Sequence, residues 1–91
     1  MNGLKEQLGI DVGSVKETSD GLVLVACNEA SSGGVATFTV SLSTGEETPE
    51  TKKIGQSIYL KSSDRWVRVT LFEASANQMQ VRVTYLPLNH A

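Results

Sequence analysis

The chain carries one cysteine, one histidine, one tryptophan and two prolines in 91 residues, and each scarcity excludes something. Cys27 alone cannot close an internal disulfide. With His90 it falls short of the three or four ligands that a His/Cys metal site requires. A small exported domain is often stapled by disulfides, so their lack favours a reducing, cytoplasmic setting. The longest apolar run, residues 22–27, is far shorter than the ~18 residues of a spanning helix. The first six residues also lack the basic segment and apolar stretch of a signal peptide, so no membrane partner is expected.

Catalytic constellations are equally scarce. Cys27 ends the apolar run and reads as a small buried hydrophobe, because the one available base, His90, is next to last in the chain. No glycine-rich loop follows a strand and opens a helix, and Ser32-Gly33-Gly34-Val35 joins two strands instead. Glu46, Glu47 and Glu50 lie close together, but in a polar segment without the burial that raises a carboxyl pKa. They read as a solvated loop. No catalytic, cofactor-binding or metal-binding residue is expected, and the chain reads as a non-enzyme.

What the sequence has is β-branched residues in short runs: ten Val, three Ile and eight Thr, separated by Gly, Ser, Asn and Asp. Residues 2–9 offer the one stretch with helical spacing, through Leu4 and Leu8. Residues 10–16 read as a first strand with Ile10 and Val12 on one face. Asp20-Gly21 makes a hairpin turn. Residues 22–27 follow as a second strand, continuous in apolar character and so expected to be covered on both faces. After the turn 31–34, residues 35–42 alternate with Ala36, Phe38, Val40 and Leu42 inward. Residues 43–53 are polar, contain Pro49 and read as the longest and most mobile loop.

Residues 54–61 form the fourth strand, with Ile58 and Leu60 in phase. Residues 66–74 form the fifth, with Val67, Val69 and Leu71 on one face and Trp66, Arg68, Thr70 and Phe72 on the other. Residues 79–86 form the sixth, with Met79, Val81, Val83 and Tyr85 inward. The expectation is one all-β domain over 1–91. It is an antiparallel meander of about six strands in a small barrel or sandwich, with at most one short N-terminal helix. Phe38, Val40, Val67, Val69, Leu71, Val81 and Val83 should share one core.

Charge is uneven. Residues 1–51 hold two cations against eight carboxylates, a net −6, while residues 52–91 hold six against two, a net +4. Either acidic and basic strands lie side by side and neutralise each other, the expected case, or one basic face meets an anion. The candidate basic patch is Lys52, Lys53, Lys61, Arg65, Arg68 and Arg82. A second candidate surface is the outer side of the fifth strand, where Trp66, Arg68 and Phe72 form an interface of hot-spot residue types.

Ile54-Gly55-Gln56-Ser57-Ile58-Tyr59-Leu60, Val67-Arg68-Val69-Thr70-Leu71-Phe72 and the phase of Asn77-Gln78-Met79, Val81 and Val83 resemble strands of the carbon storage regulator family (CsrA/RsmA). The likeness spans residues 54–85 and implies a shared β-topology. That family is a set of small bacterial mRNA-binding proteins. Its binding arginines precede the first of these strands, where this chain has Thr37-Phe38-Thr39-Val40-Ser41-Leu42, so no RNA-binding residue carries over. The sequence therefore predicts a non-catalytic binding or assembly module, most simply a homodimer, with protein partners also expected. A nucleic-acid-binding regulator that uses the basic second half is the alternative.

Overall fold

The computed structural model describes residues 5–42 and 47–88. These form eight strands and no helix: β1 (Lys5–Asp11), β2 (Val15–Glu17), β3 (Val23–Ser31), β4 (Val35–Leu42), β5 (Glu47–Lys53), β6 (Ser57–Lys61), β7 (Arg65–Ala74) and β8 (Gln78–Pro87). They make two antiparallel sheets of four strands, ordered β1-β8-β7-β6 and β2-β3-β4-β5. Every neighbour is consecutive in sequence except that β8 returns to pair with β1. The chain is thus a meander, folded into a two-sheet sandwich and not a closed barrel.

It changes sheet at two corners, residues 12–14 and residues 54–56. Each turns on a glycine in the left-handed region, Gly13 at φ 89° and Gly55 at φ 96°, where a side chain would be strained. Backbone bonds carry on around both corners. Gly13 N–H donates to the Cys27 carbonyl at 2.8 Å and Gly55 N–H to the Leu71 carbonyl at 2.7 Å.

One core fills the space between the sheets. Phe38, Val40, Val67, Val69, Leu71, Val81 and Val83, the expected set, are all fully buried at 0% exposure. Strict alternation produces this, since each second side chain of β4, β7 and β8 faces the opposite sheet. Ile10, Val23, Val25, Ile58 and Met79 complete the layer, and Cys27 lies within it as a small hydrophobe. Desolvation and the nearby Asp11 charge both push the Cys27 thiol pKa up, away from the thiolate.

Several expectations are corrected. Residues 5–9 are extended within β1 and not helical, while residues 2–4 lie outside the described residues. A single helical turn is marginal alone, whereas β1 pairs with β8 from Lys5↔Thr84 to Asp11↔Gln78 and buries Leu8 and Ile10. Residues 10–16 are not one strand: Gly13 divides them, and Val12 is 40% exposed although Ile10 is buried. β3 is covered less on its outer side, where Leu24 and Ala26 stay half-buried, than on its inner side, where Val23, Val25 and Cys27 are buried.

Residues 47–53, read as loop, are β5, paired with β4 from Val35↔Lys53 to Ser41↔Glu47; residues 43–46 lie outside the described residues. β5 is an edge strand, where Pro49 needs no ladder donor. Glu50 lies opposite inward-facing Phe38, and its carboxylate takes the Lys52 ammonium at 2.8 Å. Charges in the inward phase of an edge strand deter pairing with another chain. The six expected strands are thus eight, because two polar or interrupted segments were not read as strands.

Candidate functional site

Two polar clusters stand out. The first joins the sheets at one end. Tyr85 is inward and buried, so its hydroxyl must find a partner. It donates to Asp20 Oδ2 at 2.7 Å. Thr18 Oγ1 donates to Asp20 Oδ1 at 2.6 Å, and Leu22 N–H donates to the same oxygen at 3.0 Å. The Arg65 guanidinium lies over the Tyr85 ring, 4.9 Å from its centre, and pairs with Asp64 at 3.0 Å. Burial raises the Tyr85 pKa to about 12, helped by its bond to Asp20. Partial desolvation alone would raise the Asp20 pKa, but the bonds from Thr18, Leu22 and Tyr85 hold it below the ordinary carboxylate value.

This cluster is a clasp between the β2–β3 turn and β8. Tyr85→Phe is expected to cost about 1–2 kcal/mol near neutral pH, the worth of one bond to a charged group. The raised tyrosine pKa means that the unfolded chain gives up its proton first. Stability should therefore fall as pH rises from 10 toward 12 in the wild type, and less so in Tyr85→Phe. Denaturant melts at pH 7, 10 and 11.5 check this, and equal alkaline losses in both proteins would refute the clasp. The cluster was missed in the sequence, although a tyrosine in an otherwise aliphatic inward phase was the available signal.

The second cluster is the outer face of the β1-β8-β7-β6 sheet, and ladder register places its side chains in rows. Lys5, Thr84, Arg68 and Tyr59 form one row across the four strands. Gln7, Arg82, Thr70 and Ser57 form the next, and Leu86, Trp66 and Lys61 flank the first row on its other side. Directly opposed residues stand about 5 Å apart and successive rows about 7 Å apart, so Lys5, Arg68 and Arg82 rise from backbone within roughly 10 Å.

An open groove of about 380 Å³ follows the first two rows. Lys5, Arg68 and Arg82 line it together with the hydroxyls of Ser57, Thr70 and Thr84, and Tyr59 completes its wall. Ser57 and Thr70 share a hydroxyl bond of 2.7 Å, and Arg82 Nη2 donates to Gln7 Oε1 at 3.4 Å.

The aromatic rings on this face are partly covered by cations. Lys61 Nζ is 6.0 Å from the centre of Trp66, and Arg82 Cζ is 5.2 Å from the centre of Phe72. Phe72 sits in a β-bulge, where the register shifts between Leu71 and Glu73. Among the described residues the ion pairs are Lys52–Glu50 and Arg65–Asp64, so Lys5, Lys61, Arg68 and Arg82 have no carboxylate partner. The carboxylates in the outward phase, Asp11 and Glu73, stand at the opposite end beside Gln78 and Gln80.

Trp66, Arg68 and Phe72, expected to share a face, do share one. The expected basic patch divides. Lys61, Arg68 and Arg82 lie on this face, whereas Lys52 and Lys53 belong to β5 in the other sheet and Arg65 belongs to the clasp. Acidic and basic strands do not interleave as expected: residues 15–53 build one sheet, and residues 57–87 build the other with β1 alone added. Lys5 and Tyr59 are the members that the sequence reading missed. Lys5 lies in the one stretch with helical spacing, and Tyr59 is the outward residue between the core residues Ile58 and Leu60. Among the described residues no group of three or more His, Cys, Asp or Glu side chains is placed to hold a metal ion. No family model, curated protein or solved structure matches this chain.

Proposed function

We propose that the protein is a non-catalytic binding module and that the outer face of the β1-β8-β7-β6 sheet takes single-stranded nucleic acid, RNA in the first instance. One observation carries this reading: four cations that have no carboxylate partner among the described residues share a sheet face with Tyr59, Trp66 and Phe72. Cations set among aromatic rings suit a flexible strand, because phosphates pair with the charges and unstacked bases lie on the rings. A net charge of −2 does not oppose this, since Glu17, Asp20, Glu29, Glu47 and Glu50 belong to strands and turns of the opposite sheet.

Self-association through Trp66 and Phe72 is the second reading, and their large apolar surfaces favour it. Face-to-face packing of two copies would, however, bury cations that outnumber the carboxylates of the same face.

Fluorescence anisotropy of a labelled single-stranded RNA of roughly 12 nucleotides decides the matter. With four phosphate contacts the logarithmic salt slope should be about −3, so affinity should drop ~50-fold between 50 and 200 mM salt. Lys61→Gln/Arg68→Gln should flatten that slope by about half. Absence of binding, or binding indifferent to salt, refutes the nucleic-acid reading. A sedimenting dimer that Trp66→Glu dissociates would put self-association in its place.

A further inference from the structure

The groove on this face has a chemistry narrower than general attraction to a polyanion. Three cations surround one open volume, which is more positive charge than a single internal phosphodiester neutralises. The Arg68 side chain makes no hydrogen bond or ion pair among the described residues, and Arg82 commits only one of its five side-chain donors, to Gln7. Ser57 and Thr70 bond to each other, so whichever accepts keeps its own hydroxyl hydrogen to offer outward. Guanidinium forks and hydroxyl donors are the groups that recognise a tetrahedral oxyanion.

Next to these donors stands a ring. Tyr59 is the direct ladder partner of Arg68, lines the same groove and is 53% exposed. A groove of about 380 Å³ falls near the lower end of the range for small-molecule sites, larger than one phosphate needs. We infer that this groove is a nucleotide subsite, in which Lys5, Arg68 and Arg82 hold a dianionic phosphate and Tyr59 stacks the attached base. The inference rests on the nucleic-acid reading and sharpens it. A strand carrying a terminal phosphate would be gripped by its end, because a phosphomonoester carries nearly twice the charge of an internal linkage.

The test uses the whole chain and three probes at constant ionic strength: adenosine 5′-monophosphate, adenosine and inorganic phosphate. Amide shifts are followed by NMR. The monophosphate should bind saturably, with shifts gathered at Tyr59, Arg68, Thr70 and Thr84, and adenosine should bind at least about tenfold more weakly. Arg68→Gln and Arg82→Gln should each weaken the monophosphate about tenfold. Arg68→Lys, which keeps the charge and loses the fork, should fall between them and the wild type. Tyr59→Ala should weaken the monophosphate while leaving inorganic phosphate unchanged.

Equal binding of adenosine and the monophosphate overturns the subsite, as do shifts scattered over surface lysines outside the groove. If the RNA binds with the expected salt slope while the monophosphate does not, the subsite fails and the wider surface stands. If the monophosphate saturates while the RNA shows no affinity, the surface reading fails and the subsite stands.

Discussion

Replacing Val69 by aspartate should leave no folded protein. Val69 is fully buried in β7, between Ile58 on β6 and Val83 on β8, with the second sheet packed over it. Arg68 and Lys61 lie in the opposite phase, and Arg65, in the same phase, stands at the strand's end against Tyr85 and Asp64. An unpaired carboxylate in such a place costs several kcal/mol, or is neutralised by a large pKa shift at similar cost. A domain of this size has about 5–10 kcal/mol in total. Loss of the far-UV strand signal and of any cooperative thermal transition is the expected result. Thr70→Asp, one residue along and on the outer face, should still fold. If Val69→Asp melts at the wild-type midpoint, the in-out phase of β7 is wrong. If both variants unfold, the chain rejects charge along β7 without regard to phase, and the one-sided core fails as an explanation.

The two phenylalanines should separate just as clearly. Phe38 is the largest fully buried side chain, on β4 between Cys27 of β3 and Glu50 of the edge strand β5. Phe38→Ala should cost about 3–4 kcal/mol, the transfer loss plus the cavity left in a core that relaxes only partly. For a chain of this length that is a fall of roughly 15–25 °C in thermal midpoint. Phe72 is half-buried on the outer face, where the Arg82 guanidinium covers its ring at 5.2 Å. Phe72→Ala should cost about 1 kcal/mol or less. Denaturant melts of both variants measure the contrast. Equal losses would mean that Phe72 is as deeply packed as Phe38, and so would remove it from the binding face.

The chain's strands were legible where the side chains alternate strongly. Residues 35–42, 66–74 and 79–86 announce their inward faces through Phe38, Val69 and Val81, because a period of two is a local property that no distant contact can reverse. The misses fall where the local signal is weak or contradictory. Leu8 stands at helical spacing from Leu4 in the sequence, and the long-range ladder to β8 holds residues 5–9 extended. Residues 47–53 contain no apolar side chain except Pro49, which edge strands and loops both accept, so nothing in their composition distinguishes the two.

The candidate site was half legible for a related reason. Trp66, Arg68 and Phe72 belong to one strand, and their shared face follows from alternation alone. The basic patch could not be assembled that way, because summing charge over residues 52–91 groups Lys52 and Arg65 with Arg82, although they serve an edge ion pair and a clasp. Sharing a stretch of sequence does not place side chains on one face.

By itself, then, the sequence determined the all-β class, the turns at Asp20-Gly21 and 31–34, the phase of three strands and the identity of the core. Each depends on neighbours within a few residues. Only the tertiary structure decided that β1 joins the sheet of β6, β7 and β8 while β2 to β5 build the other, that Lys5 joins Arg68 across Thr84, and that Tyr85 reaches Asp20. Those are pairings between segments far apart along the chain. Their geometry is set by which strands lie side by side, and that choice is made by burying the whole core at once.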